Sequence, residues 1–61
     1  MHDKAFNCLL SYVTPARHVI SVHCKTIAIA ADAALEIAER QLRADKRRKV
    51  VRVVYGKAIE Q

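Results

Sequence analysis

The sequence is poor in the features that build linkers, repeat arrays and membrane spans. It has one Gly and one Pro among 61 residues, and it shows no low-complexity tract or internal repeat, so linkers and solenoids are excluded. No apolar run approaches the roughly 18 residues that a membrane-spanning helix needs. The first residues lack the basic stretch, apolar core and small-residue cleavage site of a secretion signal. We therefore expect a cytoplasmic protein without a membrane partner.

Metal ligands and catalytic groups are also scarce. The chain has two Cys and three His, without the CxxC-type pair or helical His spacing of a zinc site. His23 and Cys24 are neighbours in a predicted strand and so point to opposite faces. Ser11 and Ser21 have no neighbouring base, and no Gly-rich phosphate loop is present. We expect no metal, no cofactor and no enzymatic activity.

The apolar content is sufficient for folding. Hydrophobic residues make up 52% of the chain, which is well above the level of disordered segments. The length is about half that of a usual domain. Residues 1–61 are therefore predicted to form a single small domain.

Two segments alternate in polarity as half-buried strands do. They are Phe6–Val13 and Val19–Thr26, and the segment between them, residues 14–18, contains the only Pro and suits a hairpin loop. Pairing Val13 with Val19 puts Cys8 opposite Cys24 and collects the apolar alternate residues on one face. The two cysteines are therefore predicted to be reduced core residues facing a helix.

Residues 31–44 have the periodicity of an amphipathic helix. The apolar stripe contains Leu35 and Leu42, which we expect to anchor the helix on the sheet. Two glutamates are each followed four residues later by an arginine, a spacing that stabilises the solvent-exposed side of a helix. The pairs are Glu36 with Arg40 and Glu39 with Arg43.

The segment Val50–Tyr55 indicates a third strand that ends before Gly56. The element order is then ββαβ, an α+β fold with one helix packed on one face of a three-stranded sheet. The simplest arrangement is antiparallel with strand order 2-1-3, and order 1-2-3 is the alternative.

One helix covers only one face of this sheet, which leaves an apolar face open. Strict alternation puts Val50 and Val54 beside Arg52 on the open face, and Val51, Val53 and Tyr55 on the helix side. An apolar centre with a basic rim is typical of an interaction surface. We predict that Arg52 binds a partner from the middle of this face, together with Leu9, Val19, Val50 and Val54. A homodimer would use the same face or an unpaired edge strand.

The positive charge is concentrated in one part of the chain. Residues 40–57 carry eight basic residues against Asp45 alone, whereas the whole chain has a net charge of +5. Such a segment indicates an anionic partner. The turn residues Arg47, Arg48 and Lys49 are predicted to be solvated and to steer the approach of an acidic protein surface. The alternative is a nucleic-acid-associated protein that uses residues 46–49, although three aromatic residues make no evident base-stacking platform.

The residues also resemble a known family. The pattern AxxxDxALExAExQ over residues 28–41, followed by the V-x-R-V strand of residues 50–53, is similar to the small phage-encoded inhibitor of host RNA polymerase. Lys4 and Phe6 before the hairpin also fit, so the resemblance spans nearly the whole chain. It implies a three-stranded antiparallel sheet with one helix, and transcription inhibition by binding the jaw of the largest polymerase subunit inside the DNA channel.

The resemblance implies contacts by arginines of the last strand, of which Arg52 is the match here. Val54 occupies the position where a second arginine is expected, and Ala30 replaces the expected helix-capping hydroxyl. The family surface is also shaped by acidic residues, whereas this chain is basic. The resulting hypothesis is a phage protein for host takeover or anti-defence that inhibits a bacterial complex in the host cytoplasm, with RNA polymerase as its first target.

Overall fold

The computed structural model describes residues 2–61 and has four elements in the order β-β-α-β. They are β1 (Lys4–Val13), β2 (Val19–Ala28), α1 (Ala31–Ala44) and β3 (Arg52–Glu60). The sheet has the strand order β2-β1-β3 with both pairings antiparallel. The α+β class and the order 2-1-3 are therefore confirmed, and the order 1-2-3 is wrong. Helix α1 has 14 residues and is too short and too charged to span a bilayer.

The hairpin of β1 and β2 has the predicted register. Val13 pairs with Val19, and Cys8 pairs with Cys24. In the connection, Arg17 donates its backbone N–H to the Thr14 carbonyl over 2.9 Å. Arg17 itself has φ 67°, a left-handed conformation that glycine adopts more readily. The loop therefore closes with a strained arginine at its tip.

Helix α1 begins and ends where its periodicity predicts, and it packs across the sheet through small residues. Ala34 and Ala38 are buried, which lets the helix backbone approach the strands, and Leu42 is buried beside them. Leu35 is only half-buried, so of the two predicted anchors Leu42 is the stronger. The buried residues, which form one cluster between helix and sheet, are Phe6, Cys8, Leu10, Tyr12, Thr26, Ala28, Ala34, Ala38 and Leu42.

Helix α1 has no side-chain cap at its N-terminus, and one of its two predicted ion pairs is present. Ala30 is the N-cap residue and makes no side-chain capping hydrogen bond. Arg43 and Glu39 form their ion pair at 3.3 Å. No ion pair joins Glu36 to Arg40 within residues 2–61, so the second predicted pair is absent there.

The third strand differs from its prediction in length. It begins at Arg52 and continues to Glu60, with Gly56 inside it opposite Leu10. A Cβ atom on Gly56 would lie 3.2 Å from Leu10 Cδ2 and 3.4 Å from Leu35 Cδ2. Glycine therefore permits close packing of the strand beneath the helix here, where we expected it to end the strand.

A β-bulge changes which face the residues of β3 occupy. The register with β1 shifts between Ser11, which faces Tyr55, and Tyr12, which faces Val53. Val54 is thus the extra residue, and alternation is interrupted at that point. Val53 keeps its predicted place on the helix side, whereas the predicted helix-side position of Tyr55 is wrong, because the bulge turns this side chain to the open face.

Candidate protein-binding interface

The sheet face opposite α1 is uncovered and largely apolar, and we call it the open face. Four of its side chains are strongly exposed: Val19 at 63%, Ile27 at 61%, Ile59 at 54% and Tyr55 at 49%. Leu9 and Val13 on β1 lie between the outer strands and are half-buried. Several large apolar side chains that share one exposed surface are typical of an interaction site.

The charges on the open face have a single sign. Ladder register and alternation place Lys25, Lys57 and Arg52 there, together with His23. None of the six acidic side chains belongs to a ladder residue of the open face: Asp32, Glu36 and Glu39 lie on α1, Asp45 follows the helix, Glu60 lies opposite the buried Phe6, and Asp3 precedes β1. The open face therefore complements an acidic surface.

A shallow groove crosses the middle of the open face. Leu9 lies between His23 and Lys57, its register partners on β2 and β3. Tyr55 and Ile59 line the same groove. This arrangement fits an apolar side chain of a partner, with cationic groups beside it for a neighbouring carboxylate.

Three of the predicted contact residues lie on the open face. Leu9 and Val19 do so by register, and Arg52 does so because it pairs with Val13 before the bulge. Arg52 lies at the hairpin end of the face, however, and its predicted place in the middle is wrong. The strand begins at Arg52 and runs past Gly56, so the middle of the face is formed by later residues.

The predicted open-face positions of Val50 and Val54 are wrong. Val50 precedes the strand and packs against the core cluster. Val54 is the bulged residue and lines a groove with Leu35 and Glu39 at the helix edge of the sheet. Both differ from the prediction because the alternation assumed an unbroken strand from residue 50.

The basic turn is not uniformly solvated. Arg47 is 94% exposed and lies 3.6 Å from Asp45, and Lys49 is exposed as expected. Arg48 instead donates a hydrogen bond from Nη1 to the hydroxyl of Tyr12 over 3.2 Å and lies 3.5 Å from Asp45. The hydrogen bond to Tyr12 raises the pKa of Arg48. Arg48 is therefore a structural link between the turn and the core, which corrects its prediction as a freely solvated residue.

Five residues of the open face and its edge were not singled out from the sequence. Ile27 was missed because the second strand was predicted to end at Thr26. Tyr55 was missed because of the bulge, and Lys57 and Ile59 were missed because the third strand was predicted to end before Gly56. Arg17 lines a second groove with Arg52 at the hairpin end. Its only sequence signal is its place near the end of a short loop, where a left-handed residue is common in hairpins.

No cluster of three or more His, Cys, Asp or Glu side chains suited to a metal ion occurs within residues 2–61. No protein-family model, curated protein or solved structure matches the chain significantly.

Proposed function

We propose that this protein is a non-enzymatic inhibitor of phage type that binds a bacterial host or defence complex through its open face. The observation that carries the proposal is a sheet face with exposed Ile27, Tyr55 and Ile59, with three cationic side chains and no carboxylate among its ladder residues. Apolar groups supply burial, and the cations select an acidic partner.

The charge of the open face favours a different protein over a second copy. Stacking two open faces would bring Lys25, Lys57 and Arg52 of one copy against the same cations of the other. Like charges at an interface cost several kcal/mol by order of magnitude. An acidic partner surface turns this repulsion into attraction, so the proposal commits to such a partner.

The target we propose is bacterial RNA polymerase, in the cytoplasm of the host cell. Support comes from the resemblance in residues 28–41 and 50–53, together with the fold class that it implies. Arg52 matches the contacting arginine of that family and is exposed at the hairpin end of the open face. The family has a second arginine at the position that Val54 occupies here. Arg17 lines the same groove as Arg52 and supplies a second cation in its place.

The test is capture of purified bacterial RNA polymerase, followed by transcription from a phage-independent promoter. We expect the wild-type protein to retain polymerase at moderate salt and to inhibit transcription. Arg52→Glu should lose both effects. Arg40→Glu is the matched control, because Arg40 is an exposed arginine on the helix side of the molecule, and it should retain both.

Two outcomes would contradict the proposal. If wild-type protein does not retain polymerase, the target is wrong, and mass spectrometry of proteins captured from a bacterial lysate would show whether another acidic complex takes its place. If Arg52→Glu and Arg40→Glu behave alike, the open face is not the binding surface.

A second candidate function is association with nucleic acid, favoured by the exposure of Lys46, Arg47 and Lys49 in one turn. Phosphate contacts release counterions, so a binder of this kind loses affinity steeply with salt and accepts generic DNA. Binding of a labelled random duplex at two salt concentrations separates the candidates. The protein inhibitor should show weak, salt-sensitive DNA binding that does not compete with its protein partner.

A further inference from the structure

Two thiols face each other across β1 and β2 on the helix side of the sheet. Cys8 and Cys24 are register partners, and both are free cysteines. Cys8 is 1% exposed and Cys24 is half-buried. We propose that Cys8 and Cys24 form a reversible cross-strand disulfide, with a low-molecular-weight disulfide such as oxidised glutathione as the oxidant. This inference does not depend on the proposed binding function.

The ladder geometry permits the bond. Thr14 donates its backbone N–H to the His18 carbonyl over 2.9 Å, so Thr14 and His18 form a hydrogen-bonded pair. Along the regular antiparallel ladder, every second pair from there towards the start of β1 is of the same kind. Cys8 and Cys24 are therefore a hydrogen-bonded pair, for which facing Cα atoms lie about 5.5 Å apart. This separation falls within the range that disulfides span, about 4.4 to 6.8 Å.

The position of Cys24 makes the bond reversible. Cys24 is half-buried and lines a groove, so a small thiol reaches its sulfur. Accessible disulfides have higher reduction potentials than buried structural ones and are reduced more easily. We therefore expect a bond that a mild thiol reductant opens.

Access determines the order of the reaction. Cys24 lines a groove between α1 and β2, together with Gln41 and Leu42, so a small oxidant reaches it first. Cys8 is buried between helix and sheet and is out of reach of the oxidant, so it reacts second. Burial also raises the pKa of the Cys8 thiol.

The chemistry proceeds in two exchanges. The Cys24 thiolate attacks one sulfur of the oxidant, whose S–S bond breaks and releases one thiolate. Cys8 then loses its proton to solvent and attacks the Cys24 sulfur of the mixed disulfide, and the second thiolate leaves. In total, two protein thiols lose two protons and two electrons, and the oxidant is reduced to two thiols.

The test uses the native protein and excess oxidised glutathione. We expect both free thiols to disappear, the intact mass to fall by two hydrogens, and peptide mapping to show a link between Cys8 and Cys24 in a monomer. Dithiothreitol should restore both thiols. The oxidised form should also unfold at a higher denaturant concentration than the reduced form, because the cross-link restricts the unfolded chain.

Two single-thiol variants serve as controls. Cys8→Ala should stop at a mixed disulfide on Cys24, and Cys24→Ser should react slowly because only the buried thiol remains. A stable glutathione adduct on wild-type Cys24, a linked dimer, or two unreacted thiols would each overturn the proposal.

Discussion

The guanidinium of Arg48 donates a hydrogen bond to the hydroxyl of Tyr12 over 3.2 Å. Tyr12 is 2% exposed and belongs to the core, whereas Arg48 lies in the turn that follows the helix. Asp45 lies 3.5 Å from the same guanidinium and orients it. The hydrogen bond thereby links the basic turn to the central strand β1 near its hairpin end. Arg48 holds the turn in place, whereas Arg47 and Lys49 are exposed to solvent.

Arg48→Ala should destabilise the fold, because it leaves the buried Tyr12 hydroxyl without its partner. A buried hydroxyl that loses its hydrogen bond costs about 1 to 3 kcal/mol. Urea denaturation should show this loss, whereas the exposed control Arg47→Ala should change stability little. In a Tyr12→Phe background, Arg48→Ala should have almost no further effect, and an undiminished loss there would contradict the assigned hydrogen bond.

Arg17→Gly should stabilise the protein. The left-handed backbone at Arg17 costs a residue with a Cβ about 1 to 2 kcal/mol, and glycine loses part of that gain through its greater freedom in the unfolded chain. We expect a net gain of up to about 1 kcal/mol in thermal or urea unfolding. Ala16→Gly is the neighbouring control and should destabilise, since Ala16 has no positive φ to relieve. A loss of stability in Arg17→Gly would contradict a strained loop tip.

Leu42→Ala should destabilise more than Leu35→Ala, although both remove the same atoms from one helix. Leu42 is buried at 6% exposure, so its truncation should cost about 2 to 5 kcal/mol. Leu35 is half-buried and contacts the edge of the core, so its loss should be smaller. Equilibrium unfolding of the two variants checks the order, and the reverse order would refute the observed helix face.

The Cys8 thiol should make stability fall at alkaline pH under reducing conditions. Burial raises its pKa in the folded state above the ordinary value of 9.0. Stability is therefore complete below pH 9.0 and is lost as pH rises through the folded-state value, because only the unfolded chain releases the proton early. Cys8→Ala should show a smaller alkaline loss in pH-dependent urea unfolding. Identical pH profiles for wild type and variant would contradict a buried thiol.

The hairpin and helix could be predicted because their signals are local and regular. Polarity alternates in β1 and β2 without interruption, and only the observed register puts Cys8 opposite Cys24 on the buried face. The helix bounds follow from an unbroken apolar stripe that ends before Asp45. The strand order 2-1-3 could be predicted because it is the simplest arrangement in which the chain returns from the helix to the sheet.

The third strand could not be placed in the same way. The bulge at Val54 depends on how β3 fits against β1, and nothing in the run of valines marks it. Glycine is a residue type that commonly ends a strand, but Gly56 lies within β3 and permits close packing against Leu10 and Leu35. The link from Arg48 to Tyr12 joins residues distant in sequence, so it is visible only in the folded chain. These differences moved Tyr55 and Lys57 onto the open face and removed Val50 from it.

The most direct test of the open-face interface is the binding kinetics of immobilised RNA polymerase with two sets of variants. Arg52→Ala and Tyr55→Ala change the open face, whereas a combined change of Lys46, Arg47 and Lys49 to Ala removes the exposed charges of the turn and spares Arg48. We expect Tyr55→Ala, at the groove in the middle of the open face, to dissociate about tenfold faster or more, since truncating a central tyrosine anchor commonly costs about 2 kcal/mol. Arg52→Ala, at the hairpin end of the face, should also dissociate faster, by a smaller factor. The turn variant should associate more slowly, with a weaker salt dependence and an unchanged dissociation rate. If the turn variant loses binding while both open-face variants dissociate at the wild-type rate, the open face is not the interface.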